Sequence, residues 1–196
     1  LRQSGGMADY SAFARECGLS RLTIKAHLEA LSISLAIYPV LPFHGGGIRE
    51  IVRRPRLYAF DTGFIVFERG WEKIRDDDRG PLWEHLALDA LRVAFSGKPI
   101  YYWRDKSGRE IDFVVKNRDG VDAFECKVNP DRFEAGNLAE FRRLYPDGKN
   151  HVLSPWVKQA FQKKISGLLV TVCPLQHLFP ANVPIVPASS AARLPS

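Results

Sequence analysis

The sequence predicts a mixed α/β fold, and three observations predict it. An apolar helix pattern runs from Pro81 to Gly97. Three apolar runs follow, "IYYWR", "REIDFVV" and "GVDAFECKV", separated by the turns "DKSG" and "NRDG". A strand–helix–strand alternation then closes the pattern. The resulting order is α-β-β-β-α-β, and its last step requires a parallel pairing, so the sheet is mixed. With 45% hydrophobic and 26% charged residues among 196, the chain suits one or two small soluble domains.

Ahead of this core, residues 8–32 read as two short helices. Tyr10, Phe13, Ala14 and Cys17 fall at i, i+3, i+4 and i+7, one apolar helix face, and Gly18 stops it. Ser20 caps "RLTIKAHLEAL", whose Ile24, Leu28 and Leu31 form a second stripe. Two helices joined by "CGLS" make a helix-turn-helix candidate. "LAIYPVLPF", the turn "HGGG" and "IREIVRRPRLYAF" then read as a β-hairpin, the wing of a winged helix. The basic run Arg49, Arg53, Arg54 and Arg56 supports that reading. Arg21 and Lys25, on the exposed side of the second helix, could meet DNA phosphates beside Arg49, Arg53 and Arg54, while Glu29 on the same side would repel them.

The expected division is a winged helix over 1–64, a solvated connector over 65–80, an α/β domain over 81–178 and an unpacked tail over 179–196, rich in Pro, Ser and Ala. Pro81 suits a helix first turn. The helix it opens is apolar on two faces and should be largely buried, with Glu84 beginning the stripe of Leu88, Leu91 and Phe95. Downstream come a helix "RFEAGNLAEFRRLY", a strand "HVLS", a helix "WVKQAFQKKI" and a strand "GLLVTV". Trp103, Tyr101 and Tyr102 fit a sheet core better than a base-stacking surface.

The formal charge of +6 and pI of about 9.3 permit nucleic-acid binding without requiring it. Cys17, Cys126 and Cys173 are far apart and belong to no zinc pattern, which points to reduced cytoplasmic thiols. No apolar stretch is long enough to cross a membrane, and no signal peptide is visible. The chain opens at Leu1, the pattern of part of a longer protein.

The chemistry-bearing residues sit inside apolar runs. Asp112 stands among Ile111, Phe113, Val114 and Val115, and Glu125 and Lys127 flank Cys126. Strand alternation puts Glu125 and Lys127 on one face, and a short turn can bring Asp112 beside them. Glu84 arrives on the preceding helix. Carboxylates so grouped suit a hard cation, Mg²⁺ or Mn²⁺, which polarises a phosphoryl oxygen and acidifies a bound water. Lys127 could orient that water, assist its deprotonation or stabilise the phosphate. The same residues would also suit a solvated strand edge, with Glu84 favouring its helix N-terminus.

Asp112, Glu125, Lys127 and upstream Glu84 resemble the PD-(D/E)xK nuclease superfamily, which has an αβββαβ core. More closely, residues 1–178 resemble the C-terminal region of prokaryotic AAA+ ATPases, where a winged helix precedes a nuclease-like domain. The words that carry it are "LSRLTIKAHLEAL", "RRPRLYAFDTGF", "PLWEHLALDAL", "YYWRDKSGREIDFVV" and "AFECKV", in that order. The resemblance implies a Mg²⁺-dependent endonuclease of this type, DNA as partner, and an ATPase domain N-terminal to this chain. Two departures stand out. Ile111 replaces the motif's proline. "SGKP", Ser96 to Pro99, lacks the glycine spacing and Ser/Thr of a phosphate-binding loop, so no ATP site is expected within the chain. A non-catalytic module that binds DNA or protein for a remote ATPase is the alternative.

Overall fold

Residues 3–45 and 54–179 are described by a computed structural model. Helix α1 (Tyr10–Cys17) starts at Asp9, whose carboxylate accepts the Ser11 and Ala12 N–H groups, and ends at Gly18 with φ 65°. Helix α2 (Arg21–Ile33) starts at Ser20, whose Oγ accepts the Thr23 N–H at 3.0 Å. Each cap satisfies amide donors that a helix start leaves bare. Strands β1 (Ile37–Pro42) and β2 (Arg56–Ala59) pair antiparallel, so a hairpin does follow the helix pair. Its connection, 46–53, with Arg49 and Arg53, lies outside the described residues.

Helix α3 (Thr62–Glu68) follows, capped by Asp61, and then α4 (Asp76–Ala94). Residues 76–80, expected as connector, are therefore helical. Asp76, Asp77 and Asp78 place three acids in the first turn, where the helix dipole favours them, and Arg75 with Asp78 closes a capping box. Pro81 lies inside the helix rather than in its first turn. It forfeits one backbone hydrogen bond, and the preceding Gly80, without a Cβ, relieves the clash that a proline ring imposes on the residue before it.

The meander is present as β3 (Ile100–Arg104), β4 (Glu110–Asn117) and β5 (Gly120–Cys126), all antiparallel. A short 3-10 turn at Pro130–Arg132 leads to α5 (Gly136–Leu144), and β6 (Asn150–Leu153) returns parallel to β5. The expected order α-β-β-β-α-β is thus observed. The expected helix over "WVKQAFQKKI" is not. Phe161–Ile165 forms strand β7, antiparallel to β8 (Leu168–Cys173), which itself runs parallel to β6. Phe161 and Ile165 are four apart, so the apolar spacing fits helix and strand alike. The turn decides: Ser166 and Gly167 both take positive φ, 49° and 83°, the two-residue link of a hairpin. Lys163 and Lys164 then charge an edge strand, which discourages pairing with other chains.

Together the strands form one eight-stranded mixed sheet in the order β2-β1-β3-β4-β5-β6-β8-β7. The hairpin is part of it, because β1 runs parallel to β3 at Leu41–Tyr101 and Pro42–Tyr102. Helix α4 covers one face: Trp83, Ala87, Leu88 and Leu91 pack on Tyr102, Phe113, Phe124 and Leu153. Helix α5 covers the other, where Leu138 and Phe141 pack on Trp103, Ile111, Val114 and Val152. Each such buried Leu or Phe contributes about 1.5–3 kcal/mol. Trp83 anchors α4 by donating its indole N–H to the Leu153 carbonyl at 2.9 Å. Tyr102 and Trp103 are core residues, as their sequence context suggested. No described helix is long and apolar enough to cross a membrane. The expectation for the tail falls outside the described residues from residue 180 on.

Candidate functional site

Strands β4 and β5 pair from Asn117–Gly120 up to Phe113–Phe124. Beyond that pair a side chain takes over. The Cys126 N–H donates to Asp112 Oδ2 at 2.8 Å. The cause lies on the other side of β4, where the β3 register shifts between Tyr101–Val114 and Trp103–Ile111. One residue of β3, Tyr102, therefore faces two of β4, Asp112 and Phe113. This bulge breaks the alternation and re-aims Asp112. Ile111 packs on the α5 side and Phe113 on the α4 side, with Asp112 between them at the seam where the strands part.

Glu125 and Lys127 complete the seam. Lys127 Nζ lies 3.0 Å from Glu125 Oε2 and 3.8 Å from Asp112 Oδ2. Asp112 and Glu125 are 9% and 6% exposed, so one ammonium sits between two nearly buried carboxylates. Phe124 and Cys126 pack on the α4 side, and Glu125 pairs with Val152 of the α5-side core. Alternation therefore sends Glu125 and Lys127 toward the α5 side.

Glu84 reaches the seam from α4, on the opposite face, and it is already engaged. It accepts the Tyr58 hydroxyl and Arg56 Nη1, the latter at 3.2 Å. Arg56 is 6% exposed and also holds Glu110 at 2.8 Å, which Arg104 grips at 2.6 Å. The expectation that three acids share one spot is thus revised. Asp112, Glu125 and Lys127 come together, and Glu84 meets them only through the field of Asp112. Among the described residues no three carboxylate, imidazole or thiol groups stand close enough to hold one metal ion.

The charges are strained by burial. Burial, then the neighbouring Asp112, pushes Glu84 up to about 7 and Glu125 up to about 8. Burial also lifts the Cys126 thiol well above its ordinary value, reinforced by Asp112 and Glu84. For Lys127 burial works downward, but Asp112 and Glu125 outweigh it and hold the ammonium above its ordinary value. Lys127 is therefore a proton-bearing donor, and the base role left open for it is disfavoured. In chemistry the donor set, hard carboxylate oxygens crowded enough to retain protons, fits Mg²⁺ or Mn²⁺. In placement two of the three expected ligands are together.

The residues expected to meet DNA are scattered. Arg21 and Lys25 are exposed on α2. Arg54 Nη1 pairs with Asp9 at 3.0 Å. Arg56, read as part of the basic run, is buried and belongs to the seam. Its alternation with Tyr58 in "RLYA" was the available signal: two residues apart on a strand share a face.

Comparison with known proteins adds family without activity. A family model described as "Domain of unknown function (DUF4143)" matches residues 79–178. Another, "Domain of unknown function (DUF8612)", matches residues 1–74. Two curated relatives are the uncharacterized protein Mb2031c of Mycobacterium bovis and the uncharacterized protein Rv2008c of Mycobacterium tuberculosis. Each is 26% identical over 127 residues, a stretch covering 63% of this chain. The match spans 29% of the length of each relative.

Proposed function

The chain belongs to the family of the domain of unknown function DUF4143, and we propose that it is a nuclease-like module hydrolysing DNA phosphodiester bonds. The observation that carries this reading is the meeting of Asp112, Glu125 and Lys127 where β4 and β5 part. Mg²⁺ or Mn²⁺, when bound, would polarise a phosphoryl oxygen and acidify an attacking water. Asp112 and Glu125 would hold the ion. Glu84 would join them only by leaving Tyr58 and Arg56. The Cys126 N–H fixes the Asp112 carboxylate, and the Lys127 ammonium donates to the phosphate as charge develops on it. The helix pair and hairpin, with Arg21 and Lys25 exposed, would hold duplex DNA without strong sequence preference. An ATPase domain elsewhere in a longer chain would be the module's partner.

A single-turnover cleavage assay on linear, nicked and single-stranded DNA tests this. Cleavage is expected with Mg²⁺ or Mn²⁺, and Ca²⁺ should support binding with little cutting, being a poorer Lewis acid of looser geometry. Asp112→Asn should abolish cleavage, because a neutral amide holds a hard cation poorly. One observation favours a second reading, a non-catalytic module that binds DNA or a protein partner: Glu84 is tied to Arg56 and Tyr58, and no three described ligand groups converge. That reading takes over if wild type and Asp112→Asn leave the same trace of cleavage on all three substrates and Mn²⁺ titration gives no heat.

A further inference from the structure

The far end of β4 and β5 holds a different feature. An open cavity of about 1010 Å³ lies among the α4–β3 turn, the β4–β5 turn, the start of β6 and the final 3-10 turn at Leu175–Leu178. It is roughly 16 Å from Asp112, five strand residues at about 3.3 Å each. Lys98, Lys116, Arg118 and Lys149 line it. Lys98 donates to Asn117 Oδ1 at 2.5 Å, and among the described residues Lys116, Arg118 and Lys149 make no ion pair. Of the two acids at the rim, Asp122 is engaged by Asn117 Nδ2 at 2.6 Å and the Lys149 N–H at 2.8 Å, leaving only Asp119 against the cations.

Two further observations show that the cavity is built. His151 lines it, stacked on Phe124 with ring centroids 4.8 Å apart and planes 10° off parallel. Its Nδ1 is buried without a hydrogen-bond partner, a rare and costly state for a polar atom. The rim is also fixed from behind. Buried Arg142 donates to the carbonyls of Val121, Tyr145, Asp147 and Lys149 and to Asn150 Oδ1. One guanidinium thus sets the course of the 145–150 loop that carries Lys149. Gly148, at φ 122°, lies so close to Val121 that a Cβ would stand 2.2 Å from its carbonyl oxygen.

We propose that this cavity binds a phosphate-bearing ligand of mononucleotide size, with Lys116, Arg118 and Lys149 on the phosphate. The volume is at the upper end of the range of small-molecule sites, and its lining, more polar and charged than such sites usually are, suits a charged ligand. The phosphate can come from a free nucleotide or from the end of a nucleic-acid strand, and the chemistry of recognition is the same. The site is independent of the acidic seam.

Calorimetric titration in the presence of EDTA removes any metal-dependent contribution from the seam, so a failure here is separate from a failure of the nuclease reading. The probes are AMP, adenosine and a 5′-phosphorylated dinucleotide. AMP or the dinucleotide should bind, adenosine should not, and the tighter of the two phosphorylated probes names the source. Lys116→Gln with Arg118→Gln should weaken binding by roughly tenfold per lost contact, without changing Tm. The proposal is overturned if neither phosphorylated probe binds at ~10 mM, a level weaker than any built site of this kind. It is equally overturned if adenosine binds as well as AMP or if the double variant keeps wild-type affinity.

Discussion

The two ends of β4 and β5 carry opposite electrostatics. At the seam, four acids and three bases are interlocked: Arg56 with Glu84 and Glu110, Arg104 with Glu110, Lys127 with Asp112 and Glu125. At the cavity, three exposed cations make no ion pair among the described residues, and of the two acids at the rim only Asp119 is left against them. The difference teaches where a substitution should register. A charge already spent on a buried neighbour is coupled to the fold, and removing it leaves the partner stranded. A charge facing water is coupled to whatever arrives.

The largest expected effect follows at the seam. Arg56→Met keeps the length of the side chain but removes a buried guanidinium from half-buried Glu84 and Glu110. Stability should fall by about 3–5 kcal/mol, the cost of breaking a buried ion pair from one side. Urea denaturation measures it. A loss under about 1 kcal/mol would put this pair in the class of exposed ones and break the contrast between the two ends.

Next comes Lys127→Ala. It removes a donor aimed at the phosphate and no ligand, so Mn²⁺ binding should persist while single-turnover cleavage slows by about 10²–10³. Equal losses of Mn²⁺ affinity and rate would recast Lys127 as an architectural residue.

How much of this was legible in the sequence depends on the range of the forces involved. The meander was legible because glycines close its turns and apolar residues fill its strands. The pair Asp112 and Glu125 was legible from strand parity and a short connection, although the bulge that frees Asp112 was not. Glu84 was correctly assigned to a helix over the sheet, but the face that helix covers is a tertiary fact. Arg56 was hidden in plain view: a run of arginines reads as a patch for phosphate, and only the fold shows one of them turned inward to two acids. The cavity had no sequence signature at all. Three turns and a strand start build it, and only the fold brings them together, with Arg142 fixing the 145–150 loop. The connector and β7 were misread for local reasons, a capping acid at Asp61 and a two-residue turn at Ser166–Gly167.

The pH dependence of stability should also divide by end. Glu84 and Glu125 are raised from an ordinary 4.5 to about 7 and about 8 in the folded chain. They keep protons that the unfolded chain gives up, so their contribution is full below about 4.5 and is lost as pH rises through 8. His151 is lowered by burial from 6.5 to about 4. Its contribution is full above 6.5 and is lost as pH falls toward 4. The acid limb is worth up to about 3 kcal/mol, and the alkaline limb, which two glutamates share, about twice that or more. Melting curves from pH 4 to 9 should show Glu125→Gln flattening the alkaline limb and His151→Phe the acid one. If one substitution flattened both, the two ends would be a single coupled unit.

The smallest effect is the sharpest test of the contrast. Lys149→Gln sits on the cavity rim, its ammonium exposed and without an ion pair among the described residues. Its backbone does the structural work: the N–H donates to Asp122 and the carbonyl accepts from Arg142, and neither bond involves the side chain. Folding should therefore be indifferent, with a change within about 0.5 kcal/mol, as for exposed substitutions in general. The rim should keep its shape, because Gly148 and Arg142 hold it. What should change is the response to anions. Wild type should gain thermal stability from AMP by mass action, since a ligand that binds only the folded chain stabilises it in proportion to its saturation. Lys149→Gln should gain less at the same concentration. The comparison needs only thermal melts with and without AMP, alongside Lys25→Gln on α2 as an exposed lysine far from the cavity. If Lys25→Gln blunts the response as much as Lys149→Gln does, the effect is net charge alone and the cavity is no site.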